Sequence, residues 1–251
     1  MRCPFISMPF VKTFGLLRSL LIYHAIPGRI QRLIRFYAQF LHSGDLCFDI
    51  GAHVGNHTRA LRSLKAKVIS VEPQPPFTYL LKRWYGSDPG VILLDQALGA
   101  TQGEASLFIS HRTPTVSTLS SSWTELAQVP SFAGVRWDTQ IPVPVTTLDS
   151  LIADYGLPAF CKIDVEGYEL EVLRGLTHPL PLLAFEYFPA AREIALACLD
   201  RLAELGNYEY NWSVGEKMKL NPTWVSSTQA AIYLKTLPDS SREGNLYARR
   251  K

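Results

Sequence analysis

The first 44 residues contain no aspartate or glutamate, although they carry Arg2, Lys12, Arg18, Arg29, Arg32 and Arg35. They also lack a long apolar run. The best stretch there, Leu20 to Ile26, is broken by His24 and stopped by Pro27-Gly28, far short of the ~20 residues that span a bilayer. No small-residue cleavage site of the secretory kind follows, so a cytoplasmic location is expected. Cysteine is scarce: Cys3, Cys47, Cys161 and Cys198 form no CxxC pair and no metal-ligand spacing. Cys47 and Cys161 lie in apolar, strand-like runs, so buried free thiols in a reducing compartment are expected. Charge is sparse as well, at 19% with a net +3, and it does not call for a nucleic-acid partner. Repeats, low-complexity tracts and the dinucleotide fingerprint G-x-G-x-x-G are all missing. What remains is a 251-residue chain, 47% hydrophobic, able to bury a large core as one α/β domain with an extension.

The most informative stretch is Leu46 to Thr58, LCFDIGAHVGNHT. An apolar run carrying one acid, Asp49, stops at Gly51; Gly55 follows, and from Asn56 the apolar spacing turns helical. A buried strand, a glycine turn and a helix start are how an α/β sheet builds a nucleotide crevice. The glycines let backbone approach a ligand, and the helix start offers unpaired N–H groups. About twenty residues on comes an acid at the end of the next strand, Glu72 in KVISVEP, placed to accept ribose hydroxyls. Because the turn is Gly51-x-x-x-Gly55, a nucleoside with an amino-acid tail fits at least as well as a pyrophosphate.

Ile30, Leu33, Ile34, Tyr37 and Leu41 follow helical spacing, flanked by arginines. This predicts a helix packed on the domain over the cofactor edge. The other reading is a basic amphipathic helix in peripheral contact with a membrane surface; the packed reading is preferred because Tyr37 and Phe40 suit a core. Further along, Pro75-Pro76 marks a helix over Phe77 to Trp84, and VILLDQALG gives a strand ending at Asp95. Residues 111–144 read as an irregular, lid-like insertion. Thr146-x-x-Asp149 resembles a capping box, and Tyr208 to Trp212 with Gln229 to Leu234 reads as a closing antiparallel pair. The expected organisation is a basic helical extension over 1–44, a main domain over 45–237, and a tail over 238–251.

In CKIDVEGYE, Cys161 to Glu169, alternation places Lys162, Asp164 and Glu166 on one side of a buried strand's carboxyl end. Charges there must pair or meet a ligand. The bland reading is a Lys162 ion pair with Asp164 or Glu166; the functional one places Asp164 and Glu166 in the crevice.

The segments DIGAHVGNHT, VEPQ, DQALG, TTLD, KIDVEGYELEVLRG and the acid of AFEY occur in the order seen in the FkbM family of S-adenosylmethionine-dependent methyltransferases, and the chain resembles that family from roughly Gly44 to Tyr187. The resemblance implies a seven-stranded class I (Rossmann-like) α/β sheet with helices on both faces. It places Asp49, Gly51, Ala52, His53, Gly55, Asn56 and Thr58 around the methionine moiety, and Glu72 with Pro73 at the ribose. Asp95, with Gln96 and Ala97, falls next to adenine; Asp95 and His53 stand where relatives have Asn. Asp164 belongs to both cofactor and chemistry. The family also implies a small-molecule, sugar or glycan acceptor hydroxyl.

Transfer to an alcohol needs in-line alignment and a base for the departing proton. Asp164 is the first candidate and Glu186 the second, with Glu166 beside them; His57 and His111 rank lower. A divalent metal held by Asp164 and Glu186 is the other reading of those acids, but no His-rich or multi-acid ligand cluster in the sequence supports it, and none is expected. An NAD-type oxidoreductase and a non-catalytic cofactor-binding subunit are the alternatives. The missing fingerprint weighs against the first, the retained acids against the second.

Overall fold

A computed structural model describes Ser19, residues 26–125 and residues 134–251. Helix α1 (Arg29–Tyr37) is followed by β1 (Leu46–Ile50), α2 (Asn56–Ser63), β2 (Lys67–Val71), α3 (Pro75–Tyr85) and β3 (Val91–Leu94). Strands β4 (Ala97–Leu98), β5 (Gly103–Ile109) and β6 (Thr139–Thr146) form a separate small sheet, with α4 (Ser121–Glu125) between its last two members. Then come α5 (Leu148–Tyr155), β7 (Phe160–Ile163), α6 (Glu169–Arg174), β8 (Leu182–Tyr187), α7 (Arg192–Leu205), β9 (Tyr208–Val214), α8 (Ser227–Thr236) and β10 (Gly244–Arg250).

The main sheet has seven strands in the order β3-β2-β1-β7-β8-β10-β9. Its strands are parallel through β8, while β10 runs antiparallel to both neighbours. The period of two sorts side chains between the faces. Phe48, Ile50, Cys161 and Ile163 meet α5 to α8, whereas Cys47, Phe160, Ala184 and Tyr247 meet α1 and α2. With both faces covered, the central strands are apolar nearly throughout. The polar exceptions lie in one row: Ser70, Asp49 and Lys162 are register partners across β2, β1 and β7.

The α1 helix is part of this core. Leu33, Phe36 and Tyr37 are buried against the sheet with Phe160 and Tyr247. Burying Leu33 and Phe36 stabilises by roughly 1.5–3 kcal/mol each. Its apolar stripe is thus occupied by the core, as the packed reading expects. The Leu20 to Ile26 stretch lies, apart from Ile26, outside the described residues. No described helix is long and apolar enough to cross a membrane.

Three local expectations need correction. Gln229–Leu234 is not a strand but the body of α8: Ser226 and Gln229 form a reciprocal capping box, and Ala230 and Leu234 bury at helical spacing. The closing partner of β9 is β10, so the end of the chain is no tail. Leu246, Tyr247 and Ala248 are fully buried between β8 and β9. The cap of α5 is Thr147, whose Oγ1 accepts from the Ser150 N–H at 3.1 Å. Asp149 instead accepts from the Thr177 N–H at 2.9 Å.

Within the insertion, Trp123 is buried and packs edge-on to Phe188, ring centroids 4.8 Å apart. The Thr118 bridge to Phe108 ties the segment to β5. Residues 126–133 lie outside the described part.

Candidate active site

The strand order reverses between β1 and β7, so a crevice opens at their carboxyl ends. Gly51 closes β1 there. It has φ 79°, and a Cβ on it would lie 1.8 Å from the backbone oxygen of Asp164. Only glycine lets the two strand ends converge this closely. The N–H groups of Gly51 and Ala52 both donate to the Val71 oxygen, at 2.9 and 3.0 Å. Gly55 (φ 71°) then starts α2.

Around this turn lies a cleft of about 1080 Å³. On the β2 side Glu72 is buried, its Oε2 accepting from the His53 N–H at 2.8 Å and its Oε1 from the Gln74 N–H at 2.9 Å. Burial pushes its pKa up to about 7, against the pull of those two bonds. Pro73, Gln96 and Ala97 line the same side. Strands β2 and β8 are three apart, roughly 14 Å at ~4.8 Å per strand.

Across β1 lies the acidic side. Asp164, Glu166 and Glu186 each offer a carboxylate oxygen within 4.8 Å of the others. Lys162, 1% exposed, donates to Asp164 Oδ2 at 3.0 Å. Burial works against the Asp164 carboxylate, yet Lys162 and a hydrogen bond from Glu186 outweigh it and hold its pKa below the ordinary value. Burial, then the Asp164 charge, pushes Glu166 and Glu186 well above theirs. Glu166 has φ 53°, a left-handed conformation that is costly for a residue other than glycine and clusters at functional sites.

His57 also lines the cleft. Its Nδ1 lies 2.6 Å from the Tyr37 hydroxyl. Burial, then nearby Lys162, lowers its pKa to about 3, so it is neutral in the working range. The α1 helix thereby fixes a cleft residue. Replacing Tyr37 by Phe leaves that half-buried nitrogen without its partner and is expected to cost about 1 kcal/mol. Urea denaturation checks this, and an unchanged midpoint and slope would show that the contact is idle.

Residues 49–194 match the family model described as the methyltransferase FkbM domain. The chain belongs to the FkbM methyltransferase family. The hexuronic acid methyltransferase AglP of Haloferax volcanii is 27% identical over 160 residues, covering 62% of this chain and 59% of that protein. This chain therefore spans less than two thirds of that relative's length. A TehB-like SAM-dependent methyltransferase from Corynebacterium glutamicum superposes with a TM-score of 0.50 at 9% identity, covering 97% of this chain and 99% of that one. That likeness is one of fold: the class I methyltransferase sheet.

The cofactor of FkbM methyltransferases is S-adenosylmethionine, and the residues present fit it. Gly51 keeps side-chain bulk out of the turn, and Glu72 presents a carboxylate already aimed by two backbone donors. Asn56, buried on the cleft wall, has an Nδ2 without a hydrogen-bond partner. On the reading that Glu72 accepts the two ribose hydroxyls, which only its ionised form can do, binding favours its charged state. Affinity is therefore expected to be full above about pH 7 and to weaken below it by at most about tenfold per unit. Calorimetry across that range tests this; Glu72→Gln should bind weakly with a flat profile, and a sloping profile in that variant would assign the titration elsewhere.

Of the residues expected at the site, Gly51, His53, Asn56 and Glu72 line the cleft, as do all three acids beyond β1. Others do not. Asp49 is buried behind the turn, where it accepts from Thr58 Oγ1 at 2.6 Å and thereby ties α2 to β1. Ala52 and Gly55 shape the turn without lining the cleft. Asp95 is drawn out to Lys82 on α3 and is 43% exposed, so the adenine role assigned to it is not supported by its placement. His111 pairs with Asp138 at 2.5 Å. Sequence reasoning missed Gln74, two residues after Glu72 in VEPQ, and Asn245 on β10, which no local motif marks.

Proposed function

We propose that this chain transfers a methyl group from S-adenosylmethionine to a hydroxyl of a sugar or sugar-like small molecule. The observation that carries the proposal is the convergence of Asp164, Glu166 and Glu186 on the cleft, across the Gly51 turn from Glu72. The cofactor, when bound, supplies a methyl on a positively charged sulfur, open to in-line displacement. Glu72 and the Gly51 turn hold the nucleoside side, so that the acids lie beyond it. An acceptor hydroxyl must lose its proton as it attacks, and a carboxylate of this cluster takes it. Asp164 and Glu186 share a hydrogen bond in which Glu186 holds the proton; once that proton is shed, Glu186, whose pKa is the raised one, is the stronger base, and it is placed ahead of Asp164 for this role. The Asp164 Oδ2 is committed to Lys162, whereas Glu186 Oε2 is buried without a partner. Asp164 then orients Lys162 and Glu186.

The naming of AglP as a hexuronic acid methyltransferase favours a sugar acceptor here. The insertion supplies Pro114, Thr115, Ser117 and Leu119 to the cleft wall and is proposed to close over that acceptor. The decisive experiment is turnover of methyl-labelled S-adenosylmethionine against hexuronic acids, neutral hexoses and their glycosides, with product analysis separating O- from N-methylation. Label in an ether supports the proposal. Tight NAD binding with no heat for S-adenosylmethionine would overturn it.

A further inference from the structure

The acid cluster holds more unmet hydrogen-bonding capacity than proton transfer alone explains. Oε2 of Glu166 and Oε2 of Glu186 are both buried with no partner. A third orphan lies beside them on another strand. Asn245 of β10 is the register partner of Glu186 of β8, is 9% exposed, and lines the same cleft. Its Oδ1 also has no partner. A proton shared between Asp164 and Glu186 would relieve those two groups, but it leaves Glu166 Oε2 and Asn245 Oδ1 as buried acceptors with nothing to accept. Orphaned acceptors of this kind cost about 1–3 kcal/mol each.

We propose that Asp164, Glu166 and Glu186, together with the amide oxygen of Asn245, bind one divalent, oxygen-preferring cation in the cleft. The dimensions agree. Oxygens on opposite sides of a calcium-sized ion, each about 2.3–2.6 Å from it, are about 4.6–5.2 Å apart. The three carboxylate oxygens here lie within 4.8 Å of one another. A magnesium-sized ion, at about 2.0–2.1 Å, needs the cluster to close by less than an ångström. The charge agrees as well: Lys162 set against three ionised carboxylates leaves two negative charges, the charge of one such cation. The donor set is all oxygen, with no cysteine or histidine, which selects the magnesium, manganese and calcium class over zinc or copper.

Four protein oxygens leave open positions on a cation that takes six or more ligands. Those positions face the cleft, where the hydroxyls of a vicinal diol, or a hydroxyl and a carboxylate of a sugar acid, would complete the shell. This part rests on the acceptor reading above; the binding of the cation does not. It also gives the strained Glu166 backbone a purpose, since its φ of 53° accompanies the entry of a third carboxylate into the cluster.

The test uses the full chain with neither cofactor nor acceptor, and the probe is Mn²⁺ followed by water-proton relaxation. One saturable Mn²⁺ per chain is expected, displaced competitively by Mg²⁺ or Ca²⁺. Glu186→Gln and Glu166→Gln should each weaken it by about 10–100-fold or more, the scale seen when even outer partners of a metal site are lost. Asn245→Asp should tighten it, because it adds a charge at the fourth ligand; a merely structural Asn245 gives no gain. Thermal melts with and without Mn²⁺ separate weak binding from poor folding, since a folded variant that has lost the site shows no Mn²⁺-induced shift. Absence of a saturable site, or one that survives in the Glu166→Gln, Glu186→Gln double variant, overturns the proposal. Calorimetry with S-adenosylmethionine alone, run in parallel, keeps the two readings apart. Heat without an Mn²⁺ site refutes the cation and leaves the methyltransferase proposal standing, and the reverse pattern refutes the latter.

Discussion

Glu186→Gln is expected to lower turnover by about 10²–10⁴ while leaving cofactor affinity and stability close to wild type. The amide keeps the side chain's shape and most of its hydrogen bonds but cannot accept a proton. Asp164→Asn should behave differently. It removes the counter-charge of Lys162, which is 1% exposed and has its carboxylate partner at 3.0 Å. Breaking a buried pair from one side costs about 3–5 kcal/mol, and the lower end applies because the Asp164 side chain is 30% exposed. The pair of variants therefore separates chemistry from architecture: slow and stable for Glu186→Gln, unstable for Asp164→Asn. Single-turnover kinetics and urea denaturation on both proteins read this out. A stable, inactive Asp164→Asn beside a fully active Glu186→Gln would restore Asp164 to the first place that its motif suggested.

Gly51→Ala is the second change with a large expected effect. The new Cβ would lie 1.8 Å from a backbone oxygen, which has no rotamer to escape into, and φ 79° is unfavourable for alanine. Strain at such a backbone position costs about 1–3 kcal/mol, and overpacking adds a similar amount. The ends of β1 and β7 must then separate, so S-adenosylmethionine binding should be lost along with about 2–6 kcal/mol of stability. Gly55→Ala provides the contrast. There the contact at 2.7 Å is to the end of the Leu81 side chain, which can swing aside. Its cost should be little more than the φ 71° penalty, roughly 1–2 kcal/mol, with the Tyr85 ring at 3.2 Å giving slightly. Equal losses in the two variants would mean that approach to the Asp164 carbonyl is not what demands glycine at position 51.

Features whose physics is local were legible in the sequence. The glycine turn, Glu72 at the end of β2 and the KIDVEG strand end each carry their reason within a few residues, and each lies at the crevice as expected. Features that depend on sheet order were not. The acids of the cluster come from two segments at least twenty positions apart, and Asn245 joins them only because β10 inserts beside β8. Gln229 to Leu234 is a short apolar run that suits a strand or a helix equally, and the Ser226 capping box decided between them. Asp95 could not be placed because its partner, Lys82, is on a helix whose rotation the sequence does not fix.

The late position of β10 in the chain has a temporal consequence. Its neighbours β8 and β9 are synthesised first, and β9 has no place in the sheet until β10 arrives to join it to β8. Some 57 residues separate Tyr187 from its register partner Gly244. At 5–20 residues per second, that is roughly 3–11 s during which the β8 edge is bare on a nascent chain. An open, apolar strand edge is a template for pairing with other chains. Expression conditions that slow the ribosome over this interval should therefore raise aggregation, and the cleft wall that carries Asn245 is among the last parts of the described molecule to form.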